Sequence, residues 1–391
     1  MKIAILITNR SSYNKVKTII RYFREDTDIE VHLVLGGSMR LYKYGNASAD
    51  MYWDFPGIAT HDIALAVEGD GLEKMSLTVG LGIIEATTIL KELTPDAVLV
   101  IADRFEVLAM ATAASYVNIP LIHLQGGEKT GSIDDKVRNA VTQLSDIHFP
   151  ATKAAEKRIH KMKPDDHSNV YCFGCPSMDL LCDNEHIGNK DSKKGRYTTT
   201  DKLPRYLNNL LKLRGTGDRV NVCSYNYVIV LYHADTKDDN FLHNLKEFSE
   251  AIRRIEISKI VFWNNIDPGG EAIAKMWRME VSRHRDFPIQ FIRHIDPADF
   301  GALLLKSKGI IGNSSTGIRE ASFLGVPAVN IGNRQKGREH GKNVISVDCD
   351  AGSIVNAVER QFSVDGYPAS SLYGDGMAGI KIGEKINELF K

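Results

Sequence analysis

The stretch AVLVIADRFEVLAMATAASYVNIPLIHL, residues 97–124, contains two apolar runs separated by one helical segment. Ala97–Ile101 and Pro120–Leu124 are short, apolar and bounded by turn residues, which predicts two buried strands. Phe105–Val117 between them predicts a helix. A strand, a helix and a second strand in immediate succession form the βαβ unit of a parallel sheet, so we expect an α/β protein.

The same alternation continues on both sides of this unit and predicts doubly wound parallel sheets. The other predicted strands are Lys2–Thr8, Glu30–Leu35, Tyr227–Tyr232, Lys259–Trp263, Ile289–Ile292, Gly309–Ile311 and Ala328–Ile331. The other predicted helices are Tyr13–Arg24, Met75–Leu93, Lys136–Leu144, Lys153–Met162, Leu203–Leu213, Asn240–Ile255, Glu271–His284, Pro297–Lys306, Ile318–Phe323 and Gly379–Leu389.

Chain length and a change in composition predict that the chain is divided into two Rossmann-like domains. A chain of 391 residues is too long for one ordinary core. Residues 184–218 are rich in Asn, Lys, Thr and Gly, and we expect them to form a linker region. We expect an N-terminal domain over residues 1–183, joined by the C-terminal helix 379–391, and a C-terminal domain over residues 219–378. The two domains are expected to face a cleft.

The composition disfavours several classes of protein. The 49 basic and 49 acidic residues cancel, so nothing indicates a nucleic-acid or membrane-surface partner. No apolar run reaches the roughly 18 residues that span a bilayer. Five cysteines in a large chain are typical of a reducing compartment, and we expect a cytoplasmic protein. Cys172, Cys175 and Cys182 lack a fourth ligand at the spacing of a zinc site, so no metal is expected.

Polar and ionisable residues collect directly after the predicted strands. Ligands of doubly wound sheets bind beyond the carboxyl ends of the strands, and a purely structural fold does not need such a concentration there. No GxGxxG fingerprint follows the first strand, which disfavours a nicotinamide cofactor. The candidate functional residues at these strand ends are Arg10, Asp103, Gln125, Glu128, Asp134, His233, Asn313, Ser314, Ser315, Glu320 and Arg334.

The segment GNSSTGIRE, residues 312–320, is a candidate phosphate site. The free N–H groups and positive dipole end of the helix predicted there suit a phosphate, and small hydroxyl side chains allow close approach. Arg10 is a second candidate because a guanidinium matches phosphate oxygens bidentately. Glu320, about two turns into the predicted helix, could accept hydrogen bonds from ribose hydroxyls. The structural alternative is a plain helix cap by Ser314 or Ser315.

Three carboxylates lie on one strand-to-helix connection within HLQGGEKTGSIDDKVRNAV, residues 123–141. The structural alternative for Glu128 and Asp134 is a turn and a helix cap, with Asp135 pairing Arg138 three residues later. Asp103 could likewise cap the helix that begins at Phe105. His233 is either a structural histidine or, beside a phosphate, a proton donor to the leaving oxygen.

Taken together, these motifs resemble the hydrolysing UDP-N-acetylglucosamine 2-epimerases, which make N-acetylmannosamine for sialic-acid-type sugars. The resemblance implies a fold similar to that of the two-domain sugar-nucleotide glycosyltransferases, with the nucleotide held mainly by the C-terminal half. It runs in the order of the family from Arg10 to Ile345. The segments that carry it are ITNRSSY, ADRFEVLA, HLQGGEKTGSIDDKVRNAVTQLSDIHFPAT, GCPSMDLL, GNSSTGIREASFLGVPAVNIGNRQKGRE and NVI.

The resemblance also implies a role for each candidate residue. Asp103 and Asp134 would belong to the acid/base set, with Glu128 alongside. Arg138 would hold these carboxylates and His233 would lie near the diphosphate. The implied UDP-binding residues are Arg10, Gln125, Asn313, Ser314, Ser315, Glu320 and Arg334, with Arg338 a further cleft residue.

One residue departs from the pattern of the family. Many relatives carry a glutamate two residues after the histidine that opens the acidic stretch, and Gln125 stands there in this chain. An amide cannot abstract a proton. Other hydrolysing members also lack this acid, so the departure leaves activity possible and the identity of the base open.

The implied reaction converts UDP-N-acetylglucosamine and water to N-acetylmannosamine and UDP without a cofactor. The alternatives are a hydrolysing epimerase of a UDP-2,4-diacetamido-6-deoxy sugar, a non-hydrolysing epimerase and a glycosyltransferase on the same fold. A sugar-nucleotide sensor without catalytic activity is a less favoured class. The resemblance further implies a homodimer or homotetramer.

Overall fold

The computed structural model describes residues 1–40, 47–65, 67, 73–130, 133–164, 169–191, 195–234, 240–263, 269–283 and 288–391. The chain forms two compact units. The first contains Met1–Lys129, Ile133–Asp179 and Gly374–Lys391, and the second contains Thr130 and Leu180–Tyr373. His284, the last residue of a predicted helix, and residues 131–132 of the acidic stretch lie outside the described residues.

The first unit is built on a six-stranded sheet in the order β3-β2-β1-β4-β5-β6, with every pair parallel. Its strands are β1 Lys2–Ile7, β2 Glu30–Leu35, β3 Ala59–Asp62, β4 Ala97–Ile101, β5 Leu121–Leu124 and β6 Ile147–Phe149. Its helices are α1 Arg10–Asn14, α2 Lys17–Asp26, α3 Ala47–Asp54, α4 Glu73–Leu93, α5 Phe105–Tyr116, α6 Asp134–Leu144, α7 Lys153–Met162, α8 Ser177–Leu180 and α15 Ala378–Leu389.

Burial of the central strands explains why their sequences are continuous apolar runs. Every residue of β4 and β5 is buried, because helices cover both faces of the sheet. Ile101 at the end of β4 lies in register with Leu124 at the end of β5. The residues that follow these two strands therefore emerge at the same edge of the sheet.

The C-terminal helix α15 packs against α2 in the first unit. Ile382 and Ile386 are fully buried in the core that also contains β1. The N–H groups of Ala378 and Gly379 donate to the carboxylate of Asp179 at 3.0 and 2.7 Å. This anchor satisfies donors that the start of a helix leaves without intrahelical partners.

The second unit is built on a seven-stranded sheet in the order β15-β14-β13-β10-β11-β12-β9, parallel except for β9. Its strands are β7 Ile187–Lys190, β8 Tyr197–Thr199, β9 Gly215–Gly217, β10 Tyr227–Leu231, β11 Ser258–Phe262, β12 Ile289–Ile292, β13 Gly309–Gly312, β14 Ala328–Ile331 and β15 Val344–Val347. Its helices are α9 Leu203–Arg214, α10 Phe241–Arg254, α11 Gly270–Arg283, α12 Pro297–Lys306, α13 Glu320–Leu324 and α14 Ala351–Phe362.

Residues 184–191 and 195–218, the described part of the expected linker region, contain strands and a helix. They contain the antiparallel strands β7 and β8, helix α9 and strand β9, which pairs antiparallel with β12. Leu203, Leu207 and Leu211 are buried on one face of α9. The four-residue spacing of these leucines is a helical signal, and the polar composition of the surrounding residues reflects their exposed side chains.

Both units show the doubly wound α/β architecture that was predicted. Among the described helices, none has the length and hydropathy of a membrane-spanning segment.

Candidate active site

The carboxyl edge of the first sheet carries two sharp turns that present polar residues. Ala102, directly after β4, has φ +64°, and Gln125, directly after β5, has φ +66°. Residues other than glycine adopt this left-handed region only at a cost, and such strain concentrates at functional sites. The turn at Ala102 sends the chain into Asp103 and then into α5.

The guanidinium of Arg138, on α6, connects the acidic residues of this edge. The side chain is 1% exposed, and its Nη2 donates to Oδ2 of Asp103. Its Nη1 donates to Oδ1 of Asp135 at 2.6 Å and to the carbonyl oxygen of Glu128 at 2.8 Å. One buried cation therefore joins the end of β4, the loop after β5 and the first turn of α6.

The charges around Arg138 outweigh the cost of burying it. Burial alone favours the neutral guanidine, but the carboxylates of Asp103 and Glu128 raise the pKa of Arg138 above its ordinary value. The guanidinium is thus a permanent cation, and it acts on the carboxylates rather than on a ligand because so little of it is exposed. The Asp135–Arg138 pair predicted at i,i+3 is present.

Neither aspartate of the acid/base set is the N-cap residue of its helix. Helix α5 has Arg104 as its N-cap and α6 has Ile133, and neither helix has a side-chain cap hydrogen bond from that residue. Asp103 is instead held by Arg138, with 19% of its side chain exposed. Asp134 is the first residue of α6, where a negative charge is favoured by the helix dipole. Glu128 is 7% exposed.

Gln125 points into the first unit. It is 1% exposed, and its Nε2 donates to Sγ of Cys175 at 2.8 Å. Cys175 is a buried free thiol. The amide of Gln125 therefore has a packing partner, and its burial does not favour the UDP-binding role predicted for Gln125.

Arg10 is held by a carboxylate that the sequence analysis did not identify. It is the first residue of α1, and its Nη2 and Nε donate to Oδ2 of Asp50 at 2.8 and 3.0 Å. Its side chain remains 23% exposed. Arg10, predicted to bind phosphate, thus has an ion-pair partner 40 positions away in the sequence, which no local pattern indicates.

In the second unit, Asn313 fixes the chain at His233. The backbone N–H of His233 donates to Oδ1 of Asn313 at 2.7 Å, and Nδ2 of Asn313 donates to the carbonyl of His233 at 2.8 Å. Both polar atoms of the Asn313 amide are therefore used to hold the ends of β10 and β13 together. Asn313, 3% exposed, positions His233 rather than presenting its amide to a ligand.

The carbonyl of Asn313 is in turn bound by the loop after β14. Nη1 of Arg334 donates to it at 3.3 Å and Nε2 of Gln335 at 2.9 Å. Arg338 donates to Oε1 of Gln335 at 2.8 Å. Gln335, which is 5% exposed, was not among the predicted residues, although it lies inside the segment GNRQKGRE.

The segment after β13 that carries Ser314 and Ser315 contains less α-helix than expected. Ser315–Gly317 form a 3-10 turn that Ser314 caps, accepting from the N–H of Thr316 at 3.4 Å. Glu320 is the first residue of α13, not two turns into a helix, because the preceding turn breaks the α-helical pattern. The capping alternative for Ser314 is therefore present, and Ser315 lies at the start of the turn.

Within the described ranges, no three His, Cys, Asp or Glu side chains form a group that could hold a metal ion. The predicted residues thus form two sets, one in each unit. The first set supplies carboxylates around a buried cation, and the second supplies a histidine, hydroxyls and an arginine at the carboxyl edge of a parallel sheet.

Comparison with known proteins identifies the family. Residues 21–387 match the family model for UDP-N-acetylglucosamine 2-epimerase. A UDP-N,N'-diacetylbacillosamine 2-epimerase (hydrolyzing) from Legionella pneumophila is 28% identical over 395 residues, covering 100% of this chain and 95% of that protein. A UDP-N-acetylglucosamine 2-epimerase from Neisseria meningitidis is 25% identical over 379 residues, covering 96% and 92%.

Solved structures share the fold across the whole chain. The UDP-GlcNAc 2-epimerase from Neisseria meningitidis bound to UDP-GlcNAc has a TM-score of 0.77 at 16% identity, covering 99% of this chain and 100% of that one. The enzyme from Methanocaldococcus jannaschii in complex with UDP-GlcNAc and UDP gives 0.75 at 17% identity, with coverage of 99% and 100%. Because the family model covers nearly the whole sequence, this chain belongs to the UDP-N-acetylglucosamine 2-epimerase family.

Proposed function

We propose that this chain is a hydrolysing 2-epimerase that converts UDP-N-acetylglucosamine and water to N-acetylmannosamine and UDP. The observation that carries the proposal is that the guanidinium of Arg138 donates hydrogen bonds to Asp103, to Asp135 and to the backbone carbonyl of Glu128. A cation with 1% exposure that gathers carboxylates at a strand edge is suited to presenting acid/base groups in a fixed arrangement.

The proposed chemistry explains why several carboxylates are needed. The C2–H bond of the sugar is weakly acidic, so a carboxylate must remove that proton as the bond between C1 and the β-phosphate oxygen breaks and UDP departs. The resulting glycal has a C1=C2 double bond. Water adds to C1, and a second acid delivers a proton to C2 from the opposite face. Asp103 and Asp134, with Glu128 alongside, are assigned to these transfers.

The residues of the second unit are assigned to the nucleotide. Ser314 and Ser315 would bind phosphate oxygens, Glu320 would accept from ribose hydroxyls, and His233 would donate to the leaving phosphate oxygen. Asn313 and Arg334 support this set by fixing the backbone on which His233 stands. Arg10 is assigned to phosphate as well. No cofactor or metal takes part in the proposed scheme.

The relatives support the hydrolysing form and favour one second candidate substrate. The Legionella pneumophila relative is named a hydrolysing epimerase of UDP-N,N'-diacetylbacillosamine. A similarly named GDP/UDP-N,N'-diacetylbacillosamine 2-epimerase (hydrolyzing) from Campylobacter jejuni is 23% identical over 364 residues. The same acid/base groups would serve that sugar, because the reaction at C1 and C2 is unchanged by substituents at C4 and C6.

Proton NMR of the purified chain with each UDP sugar in turn tests the proposal. With UDP-N-acetylglucosamine we expect free N-acetylmannosamine and UDP. Formation of UDP-N-acetylmannosamine would identify the non-hydrolysing reaction, and an unchanged UDP sugar would contradict epimerase activity on that substrate. Turnover of UDP-N,N'-diacetylbacillosamine alone, or with a kcat/KM at least about 100-fold higher, would establish the second candidate; that ratio corresponds to about 2.7 kcal/mol in transition-state binding.

A further inference from the structure

The imidazole of His123 connects the elements that carry the acids, although the proposed chemistry gives it no role. His123 lies on β5 and is fully buried. Its Nε2 lies 2.9 Å from the carbonyl oxygen of Ala102, and its Nδ1 lies 3.2 Å from Oγ1 of Thr142 on α6. A carbonyl can only accept, so Nε2 carries the proton and Nδ1 accepts from the hydroxyl of Thr142.

The ring is neutral in this arrangement. Burial lowers the pKa of His123 to about 4, with the nearby positive charge of Arg138 acting in the same direction. The neutral tautomer that the two hydrogen bonds require is therefore the form present at neutral pH. A ring in this state holds its two partners without exchanging protons with a substrate.

The hydroxyl of Thr142 is directed differently from other helical hydroxyls of this unit. Thr87, Thr112 and Ser115 donate to the carbonyl four residues earlier, at 2.7, 2.8 and 2.9 Å. Such back-bonding is the common arrangement inside helices. Thr142, which is fully buried, contacts the ring of His123 instead.

His123 supports the strained turn that precedes Asp103. The backbone of Ala102 has φ +64° and is tied to β5 at both polar groups. Its N–H donates to the carbonyl of Leu124 at 2.8 Å, and its carbonyl accepts from His123 at 2.9 Å. The left-handed conformation is unfavourable for a residue other than glycine, so these two bonds offset the strain in the turn that precedes Asp103.

The same pair also lies against the loop that leads to Glu128. A Cβ on Gly126 would lie 2.8 Å from Nδ1 of His123 and 2.9 Å from Oγ1 of Thr142. Real Cβ atoms do not approach polar atoms so closely. The main chain at Gly126 therefore rests directly on the pair, two residues before Glu128.

We propose that His123 and Thr142 form a buried positioning pair that sets the backbone before both Asp103 and Glu128. The inference rests on the proposed function for its catalytic consequence. The alternative is that His123 is an ordinary buried core histidine. Disrupting its contacts would then lower stability without a specific loss of turnover. The positioning role predicts that disrupting the pair lowers kcat without a matching rise in KM. Displaced acid/base groups would stabilise the transition state less well and would leave nucleotide binding intact.

Three substitutions separate these readings. Thr142→Val keeps the shape and removes the hydroxyl, Thr142→Ser keeps the hydroxyl, and Thr87→Val removes a back-bonded hydroxyl elsewhere as a control. We expect kcat of Thr142→Val to fall about 10- to 100-fold with KM changed less than about threefold. Thr142→Ser should recover kcat to within about threefold of wild type. The loss should be equal from pH 6 to pH 9, because His123 stays neutral across that range.

Hydrogen exchange measured by mass spectrometry gives a second readout that does not depend on turnover. The segments that carry Asp103 and Glu128 should exchange about tenfold faster in Thr142→Val than in wild type or Thr142→Ser, because a less constrained backbone opens more often. Wild-type kcat and unchanged exchange in Thr142→Val would overturn the proposal, as would equal losses in the Val and Ser variants. An inactive wild type would contradict the proposed function instead, and the exchange comparison would still decide the positioning role.

Discussion

The replacement Asp103→Asn separates the chemical role of this carboxylate from its structural one. The amide has the same shape but carries no charge and cannot take a proton. Arg138 loses one ion pair and keeps two contacts, to Asp135 at 2.6 Å and to the carbonyl of Glu128 at 2.8 Å. The fold therefore retains a counter-charge for the buried guanidinium.

The stability cost follows from these contacts. Removing the only partner of a buried charge costs roughly 3–5 kcal/mol, and a net hydrogen bond to a charged group is worth roughly 1.5–3 kcal/mol. Because Arg138 keeps a second carboxylate and 19% of the Asp103 side chain is exposed, we expect the lower end of this second range, about 1.5–2 kcal/mol. Urea unfolding followed by circular dichroism measures this difference.

Asp135→Asn is the matched control. Asp135 pairs with the same guanidinium and has 23% of its side chain exposed, so its replacement should also cost about 1.5–2 kcal/mol. Turnover should differ. Loss of a general acid/base group typically costs about 10²- to 10⁴-fold, and we expect that loss in kcat for Asp103→Asn. Asp135→Asn should stay within about tenfold of wild type.

Two assays complete the comparison. Release of UDP from UDP-N-acetylglucosamine measures kcat, and calorimetric titration with UDP measures nucleotide affinity, which should stay within about threefold of wild type in both variants. Equal losses of kcat in the two variants would reduce Asp103 to a positioning partner of Arg138. Full activity of Asp103→Asn would refute its assignment to the acid/base set.

Two further predictions concern pH and the nucleotide. Burial lowers the pKa of His148 from 6.5 to about 3, so as the pH falls the unfolded chain takes up a proton at this residue before the folded chain does. The contribution of His148 to stability is therefore complete above pH 6.5 and falls by about 2 kcal/mol at pH 5. Urea unfolding at pH 7 and pH 5 should show a fall in stability that is about 2 kcal/mol smaller in His148→Leu than in wild type, where buried His123 adds its own contribution. Equal falls in the two proteins would contradict it. Arg10→Ala should raise KM for the UDP sugar about tenfold or more with kcat changed far less, because a bidentate phosphate contact would be lost. Steady-state kinetics measure both constants, and an unchanged KM would show that Arg10 only serves Asp50.

Much of the fold is readable from local apolar patterns. Ala97–Ile101, Glu30–Leu35 and Ile289–Ile292 were predicted with the bounds that the structure gives. The prediction missed short or half-exposed elements. Examples are β6, which has three residues, and β15, in which only Val344 is buried. Helix α14 was missed although Asp350 caps it, because Asp348–Asp350 precedes it as a polar turn.

The candidate site divides in the same way. Strand ends locate Asp103, Glu128 and His233, because parallel strands place their carboxyl ends along one edge of a sheet. Partners that lie far away in sequence are not readable, as with Asp50 for Arg10 and Asn313 for the backbone of His233. His123 was passed over because a histidine inside an apolar strand gives no local sign of what its ring binds.

The most direct test of the proposed chemistry is proton NMR of the reaction run in deuterium oxide. Removal of the C2 proton by a carboxylate and delivery of a solvent-derived proton to the opposite face require deuterium at C2 of the released N-acetylmannosamine. We expect the H2 signal of that product to be absent, with the remaining ring protons at full intensity. A product that retains its original hydrogen at C2 would contradict proton transfer by Asp103 and Asp134 and, with it, the proposed mechanism.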